Sequence, residues 1–321
     1  MWPRSGGRPL PVREGVGPSC VALPAGPWAT IAQCLIERFA GVDPQVWAAR
    51  LRAGEVVDEH GVTVDVDRAH QPNLRVYYYR EVAGEAVGGP DVPVRCADEQ
   101  LVVADKPHFM PVTPGGAHLH HTLLVRLRRQ LGCDELAPLH RIDRETAGLV
   151  LFSRRAATRG LYQQLFARRE VRKTYDCIVR IDAAHDRVLG RAVGEPWTYA
   201  SRLVDDTHFM RMREVPGDAN AVTGLELLAR RGDLARYRLT PLTGRRHQLR
   251  VHCAALGMPI VGDTLYPTLL PAGSDDLARP LQLLARSLSF ADPLSGAPRE
   301  FTSRRSLMWD APPAPSSTGV A

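Results

Sequence analysis

Five runs of this sequence are rich in β-branched and other apolar residues and are bounded by turn formers: QLVVADKP from Gln100, AGLVLFSRR from Ala147, KTYDCIVRI from Lys173, ARYRLTP from Ala235 and QLLARSLSF from Gln282. Amphipathic helical patterns occupy two of the gaps, HTLLVRLRRQLG from His121 and AATRGLYQQLFARRE from Ala156. This distribution does not fit a regular βαβ alternation, so the chain is expected to be α+β.

With 321 residues, the chain has room for one large domain and a smaller module. The module is read at 26–82. ATIAQCLIERFA puts Ile31, Cys34, Leu35 and Phe39 at helical spacing, and VWAARLRAG does the same with Val46, Trp47 and Leu51 before a stopping Gly54. Short strands follow, around the His60-Gly61 turn and in LRVYYYREV. Residues 1–25 and 311–321 lack apolar periodicity and are expected to be disordered tails, with 83–91 a linker and 92–310 the main domain.

No apolar run reaches the roughly 18 residues of a membrane span, and the first residues lack the apolar core of a secretory signal, so a cytoplasmic protein is expected. The net charge is +6, and of 41 basic side chains only Lys106 and Lys173 are lysines. Arginine's planar fork suits phosphate contacts, although a GC-rich genome yields the same bias. The six cysteines form no C-x-x-C pair, which argues against a zinc ribbon or a disulfide framework.

Two stretches concentrate chemistry. In Leu139–Gly148 (LHRIDRETAG) a charge-alternating loop closes on glycine and enters the apolar run LVLF. Such a loop sets its carboxylate on the rim of a sheet, making Asp143 a candidate nucleophile or base, with Arg141 and Arg144 beside it to keep it ionised. A surface loop of mutually paired charges has the same spacing. In Thr243–His252 (TGRRHQLRVH), three arginines, two histidines and a glutamine could cradle phosphates or send one arginine inward, where it would need an anion such as Asp143. A solvated basic loop is the alternative.

Taken in order, VVADKP, HRIDRETAGLVLF, the RKTY of Arg172–Tyr175, and LTGRRHQLRVH followed by GMPIVGD resemble the motif set of the RluA-type pseudouridine synthases, over roughly residues 92–296. The resemblance implies the pseudouridine synthase fold, a mixed, largely antiparallel sheet flanked by helices around a central cleft. It implies isomerisation of a uridine in rRNA or tRNA, without metal or organic cofactor. On the matching positions Asp143 would be the catalytic aspartate, Tyr175 would stack on the flipped base and serve in proton transfer, and Arg250 would orient Asp143 through an ion pair. Arg141 would lie beside the space left by the flipped uridine, with His140, Lys173, Arg245, His247 and Gln248 binding substrate. Structured RNA is the implied partner and a monomer the implied state.

The sequence departs from that pattern at His108 and Phe109, where small residues usually follow Lys-Pro, and at Leu284 and Ala285, where a histidine is common. Residues 26–82 faintly resemble an αL-type RNA-binding module, yet Glu55, Asp58, Glu59, Asp65 and Asp67 make that surface acidic. Two rival readings are a metal-dependent hydrolase built on His118, His120 and His121, and a catalytically silent RNA-binding protein. Basic clusters at Arg126, Arg128 and Arg129 and from Arg154 to Arg172 bracket the Asp143 loop as an expected RNA-docking surface.

Overall fold

A computed structural model describes residues 9–82, 84–85, 89–181, 191–271 and 273–310. The expected tail at 311–321, the first eight residues and part of the expected linker lie outside the described residues.

Two sheets organise the chain. The smaller, of order β1-β3-β2, joins β1 (Ser19–Ala22), β2 (Val57–Asp58) and β3 (Arg75–Tyr78) with antiparallel pairings. Helices α1 (Ile31–Arg38) and α2 (Pro44–Arg52) accompany it. Thr30 caps α1 by accepting the Gln33 N–H, and Asp43 caps α2 by accepting that of Gln45, with Pro44 in the first turn. Ile31, Cys34, Leu35, Trp47 and Leu51 share a core with Val76 and Tyr78, whereas Val46 is 37% exposed and faces out.

Part of the expected tail at 1–25 is therefore structured. Strand β1 pairs with β3 from Ser19↔Tyr78 to Ala22↔Arg75, and Leu23 is buried behind it. Four residues whose partner lies far along the chain are too short to show a period. Part of the expected linker is docked as well, since the Glu85 carboxylate accepts the backbone N–H groups of Leu119, His120 and His121. Nor does Asp58 contribute to an acidic surface. Only 2% exposed, it accepts the N–H groups of His60 and Val62 and pairs with Arg68 at 2.7 Å, so its charge closes a turn.

The larger, eleven-stranded sheet has the order β10-β9-β11-β12-β8-β13-β7-β5-β4, with β14 on β13 and β6 on β7. Its strands are β4 (Val94–Ala97), β5 (Leu101–Lys106), β6 (Ala137–Pro138), β7 (Ala147–Ser153), β8 (Arg172–Arg180), β9 (Pro196–Asp205), β10 (Met212–Val215), β11 (Ala221–Arg231), β12 (Leu234–Pro241), β13 (Leu283–Ala291) and β14 (Pro298–Thr302). Its pairings are antiparallel except that of β13 with β7, so the expected α+β class and mixed, largely antiparallel sheet are what the chain forms.

Strands β5 and β7 are buried on both faces. Leu101, Val103, Leu149 and Leu151 pack with Tyr162 and Leu165 of α4 (Ala156–Ala167), while Val102, Ala104, Val150 and Phe152 share a core with Leu123, Leu124 and Leu127 of α3 (Leu123–Leu131). Helices on both faces explain why these strands read as continuous apolar runs. At the parallel junction Gly148 lies opposite Ala285 with φ 109°, and a Cβ there would stand 2.3 Å from the Ala285 carbonyl oxygen. Only glycine fits, and this close approach fixes where the Asp143 loop enters the sheet. On the same sheet, α5 (Gln248–Ala255) packs over β9, β10 and β11.

Candidate active site

Between β6 and β7 the loop is pinned by its apolar residues: Leu139 and Ile142 are buried, while Asp143 between them and the sheet keeps 26% of its side chain exposed. Asp143 lines a cleft of about 1250 Å³ whose walls include Tyr175, Arg141, Lys173, Arg245 and Arg250. The expected catalytic trio thus shares one cleft, larger than the roughly 300–1,000 Å³ typical of small-molecule sites.

Arg250 is the inward arginine of the basic stretch, 1% exposed. Its principal partner is Asp263: Nε and Nη2 donate to the two carboxylate oxygens at 2.9 and 2.6 Å. The remaining Nη1 is shared between Asp143 at 3.4 Å and Glu145 at 3.3 Å, long for hydrogen bonds. Burial works against the charged guanidinium, but the hydrogen bonds and charge of Asp263, helped by Asp143 and Glu145, hold its pKa above the ordinary value. A fixed cation therefore stands beside Asp143 without tying up both of its oxygens, as a reacting carboxylate requires. Asp263 itself is set by the turn after GMPIVGD, where Gly262 has φ 76° and its Oδ1 also accepts from Leu265 and Tyr266 N–H.

The neighbouring arginines do not pair with Asp143 as the sequence suggested. Arg144 turns to Glu145 at 3.1 Å and Asp275 at 2.6 Å, and Arg141 is exposed with no partner among the described residues. Distant residues take the place expected for them. His247 places Nε2 3.9 Å from Asp143, while its Nδ1 lies 3.0 Å from the Tyr266 hydroxyl. That hydroxyl accepts the Met212 N–H at 2.7 Å, so its own proton is free to go to Nδ1, leaving the histidine proton on Nε2, toward Asp143. His247 holds a left-handed φ of 53° just before α5, an unusual conformation for a non-glycine residue and one often kept at functional sites.

Tyr175, on β8, is nearly buried, and its hydroxyl forms no hydrogen bond with the described residues. Burial and then the charge of Asp143 raise its pKa, so it stays a neutral phenol. Lys173, two positions earlier and on the same face of the strand, is lowered by burial and has no carboxylate partner among the described residues. His140 stacks on Phe166 at 5.0 Å and accepts the Leu151 N–H on Nε2; burial, then Lys173, lowers its pKa to about 3. Gln248 is placed differently from expectation. Its Oε1 accepts from Thr243 Oγ1 and Arg245 N–H, and its Nε2 donates to Val222 O and Thr223 Oγ1, so it braces the loop and keeps no amide atom for a ligand. Arg245 remains exposed at the cleft, with Nε on the Asn220 carbonyl.

Sequence reasoning also missed Lys106, Glu145 and Tyr266. Lys106 is fully buried beneath the loop and donates to the Pro107 and Arg144 carbonyls at 2.9 and 3.0 Å. Burial pulls its pKa down to about 7 against the opposing charges of Glu145 and Asp143. The VVADKP motif was the available signal for it. The backbone N–H groups of His120 and His121 hold Glu85, and no group of three or more potential metal ligands occurs among the described residues.

The sequence pattern of the family described as RNA pseudouridylate synthase matches residues 100–255. An uncharacterized RNA pseudouridine synthase of Synechocystis sp. is 30% identical over 236 residues, 72% of this chain and 77% of the relative. The dual-specificity RNA pseudouridine synthase RluA of Pasteurella multocida is 33% identical over 222 residues, 68% of this chain and 91% of that one. Among solved structures, human RNA pseudouridylate synthase domain containing 1 aligns with a TM-score of 0.54 at 23% identity, covering 68% of this chain and 86% of that chain, a likeness of fold. The chain belongs to the RluA family of RNA pseudouridine synthases.

Proposed function

We propose that the protein isomerises a specific uridine of rRNA or tRNA, with Asp143 as the catalytic carboxylate and the target nucleotide flipped into the cleft. The observation that carries this reading is Asp143 itself, partly exposed in a large cleft, 3.4 Å from a buried arginine already neutralised by Asp263. The reaction breaks the N1–C1′ bond of uridine, forms a C5–C1′ bond, removes a proton from C5 and returns one to N1, so no redox partner is needed. A carboxylate can carry the detached fragment covalently or stabilise its cationic partner, and a walled cleft retains the free base while it turns. Tyr175, neutral and without a protein partner for its hydroxyl, is suited to stack on the base and to pass a proton. Arg141, exposed and unpaired among the described residues, can fill the space vacated in the RNA stack.

Mapping pseudouridines in RNA from cells with and without the gene tests the substrate class. Loss of one or a few sites in rRNA or tRNA, restored by the wild-type gene and not by Asp143→Asn, is the expected result. Unchanged maps for both RNA classes would refute it.

A further inference from the structure

A second recess, of about 410 Å³, is lined by Arg95, Asp105, His108, Arg304 and Arg305 with Pro93 and Ser306. It adjoins the catalytic loop through His108, whose Nδ1 lies 2.6 Å from the Glu145 carbonyl oxygen, while the Glu145 carboxylate meets Arg250. Its charges do not balance. Three guanidinium groups stand against one carboxylate, which is already committed, and of the three only Arg305 is engaged, donating Nε and Nη2 to the Asp105 carbonyl. Asp105, 2% exposed, accepts from Ser303 Oγ at 2.7 Å and Arg304 N–H at 2.9 Å and lies 3.4 Å from Arg305 Nε. The Arg95 and Arg304 side chains have no partner among the described residues, and Arg95 Nε is buried without an acceptor. A buried donor left unsatisfied is costly unless something arrives to accept from it. The crowding is visible in His108 as well: burial lowers its pKa, the Glu145 carbonyl opposes this, and Lys106 and Arg305 lower it further.

We infer that this recess binds a phosphate group through Arg95, Arg304 and Arg305, and that the phosphate is one of the backbone of the RNA whose uridine enters the Asp143 cleft. This rests on the reading of Asp143 given above. Guanidinium forks match the spacing of phosphate oxygens. The Arg304 side chain is exposed, within reach of a polyanion lying on the surface, and the His108–Glu145 contact joins the recess to the loop that would hold the target nucleotide.

The test is the double variant Arg95→Gln/Arg304→Gln in the full chain; neither residue contacts Asp143, Arg250 or Tyr175. RNA affinity is measured across a salt series, turnover at saturating RNA, and binding of inorganic phosphate to the RNA-free protein. The expected result is a loss of RNA affinity of about tenfold at low salt, and a salt-dependence slope shallower by about one unit, with turnover at saturation retained. Unchanged affinity and slope, with inorganic phosphate bound by the wild type but not by the variant, would overturn the assignment to RNA and leave a free-anion site. Unchanged affinity and slope with no phosphate bound by either protein would overturn the site altogether. Absence of turnover in the wild type would instead sink the Asp143 reading, while the salt slope would still report on the recess.

Discussion

Charged groups in the N-terminal module are spent on the fold, whereas around the cleft some cations are kept free of carboxylates. In the module Asp58 is buried against Arg68, Arg75 lies 4.0 Å from Glu59, and Asp43 and Asp65 each accept a nearby backbone N–H. Around the cleft Arg141 and Lys173 face the opening without a carboxylate partner among the described residues, while Arg250 spends its pairing on Asp263, Arg144 on Glu145 and Asp275, and Arg246 on Asp205. The difference separates charge used to hold a fold from charge kept for a ligand. A cation left unpaired at a cleft wall costs the protein little while water reaches it, and becomes useful when a polyanion displaces that water.

The sharpest way to break this contrast is at Arg250, where both uses meet. Arg250→Ala would leave Asp263 buried without its partner, and we expect a loss of about 3–5 kcal/mol in chemical denaturation together with a large fall in turnover. A stable variant with normal turnover would show that the pair serves neither purpose. Lys106 offers a pH-dependent counterpart. Its folded pKa of about 7 lies below the ordinary 10.5, so between these values the unfolded chain holds a proton that the folded chain has released. Stability should therefore rise with pH across that window, by up to about 1.4 kcal/mol per pH unit, and Lys106→Met should flatten the rise. In the module, Asp58→Ala removes a buried pair and two turn contacts. It should cost about 2 kcal/mol in denaturation and leave turnover untouched, whereas a loss of turnover would make the module part of the catalytic apparatus. At the cleft wall the pattern inverts: Arg141→Ala should shift stability by no more than about 0.5 kcal/mol while weakening RNA binding several-fold, as a binding titration against salt can measure.

The sequence exposed the parts of this protein whose signal is local. Strands β5 and β7 were legible because burial makes them continuous apolar runs, β8, β12 and β13 because their apolar residues are bounded by turn formers, and the meeting of Asp143, Tyr175 and Arg250 in one cleft because their motifs are intact. Strands β9 and β11 were not read. Half of β9 is exposed, and β11 puts the polar Thr223 on its buried face and the apolar Val222 and Leu228 on the other, which blurs the alternation of Leu225 and Leu227. Strand β1 was read as a tail because its pairing with β3 is remote in sequence. In the site, Asp263 was quoted within a motif but given no role, since nothing local shows that a turn brings it to Arg250. Arg144 misled for the converse reason: adjacency to Asp143 along the chain says little about direction, and its guanidinium points to Asp275. Gln248 had the composition of a ligand-binding residue, and its amide proved to be fully engaged within the protein.

Release of tritium from RNA labelled at uracil C5, followed for wild type and Asp143→Asn under identical conditions, bears most directly on the central claim. The account requires release by the wild type and a fall of at least about a thousandfold in the variant, with RNA affinity retained. Equal release by the two proteins would mean that the carboxylate at position 143 is not the reacting group.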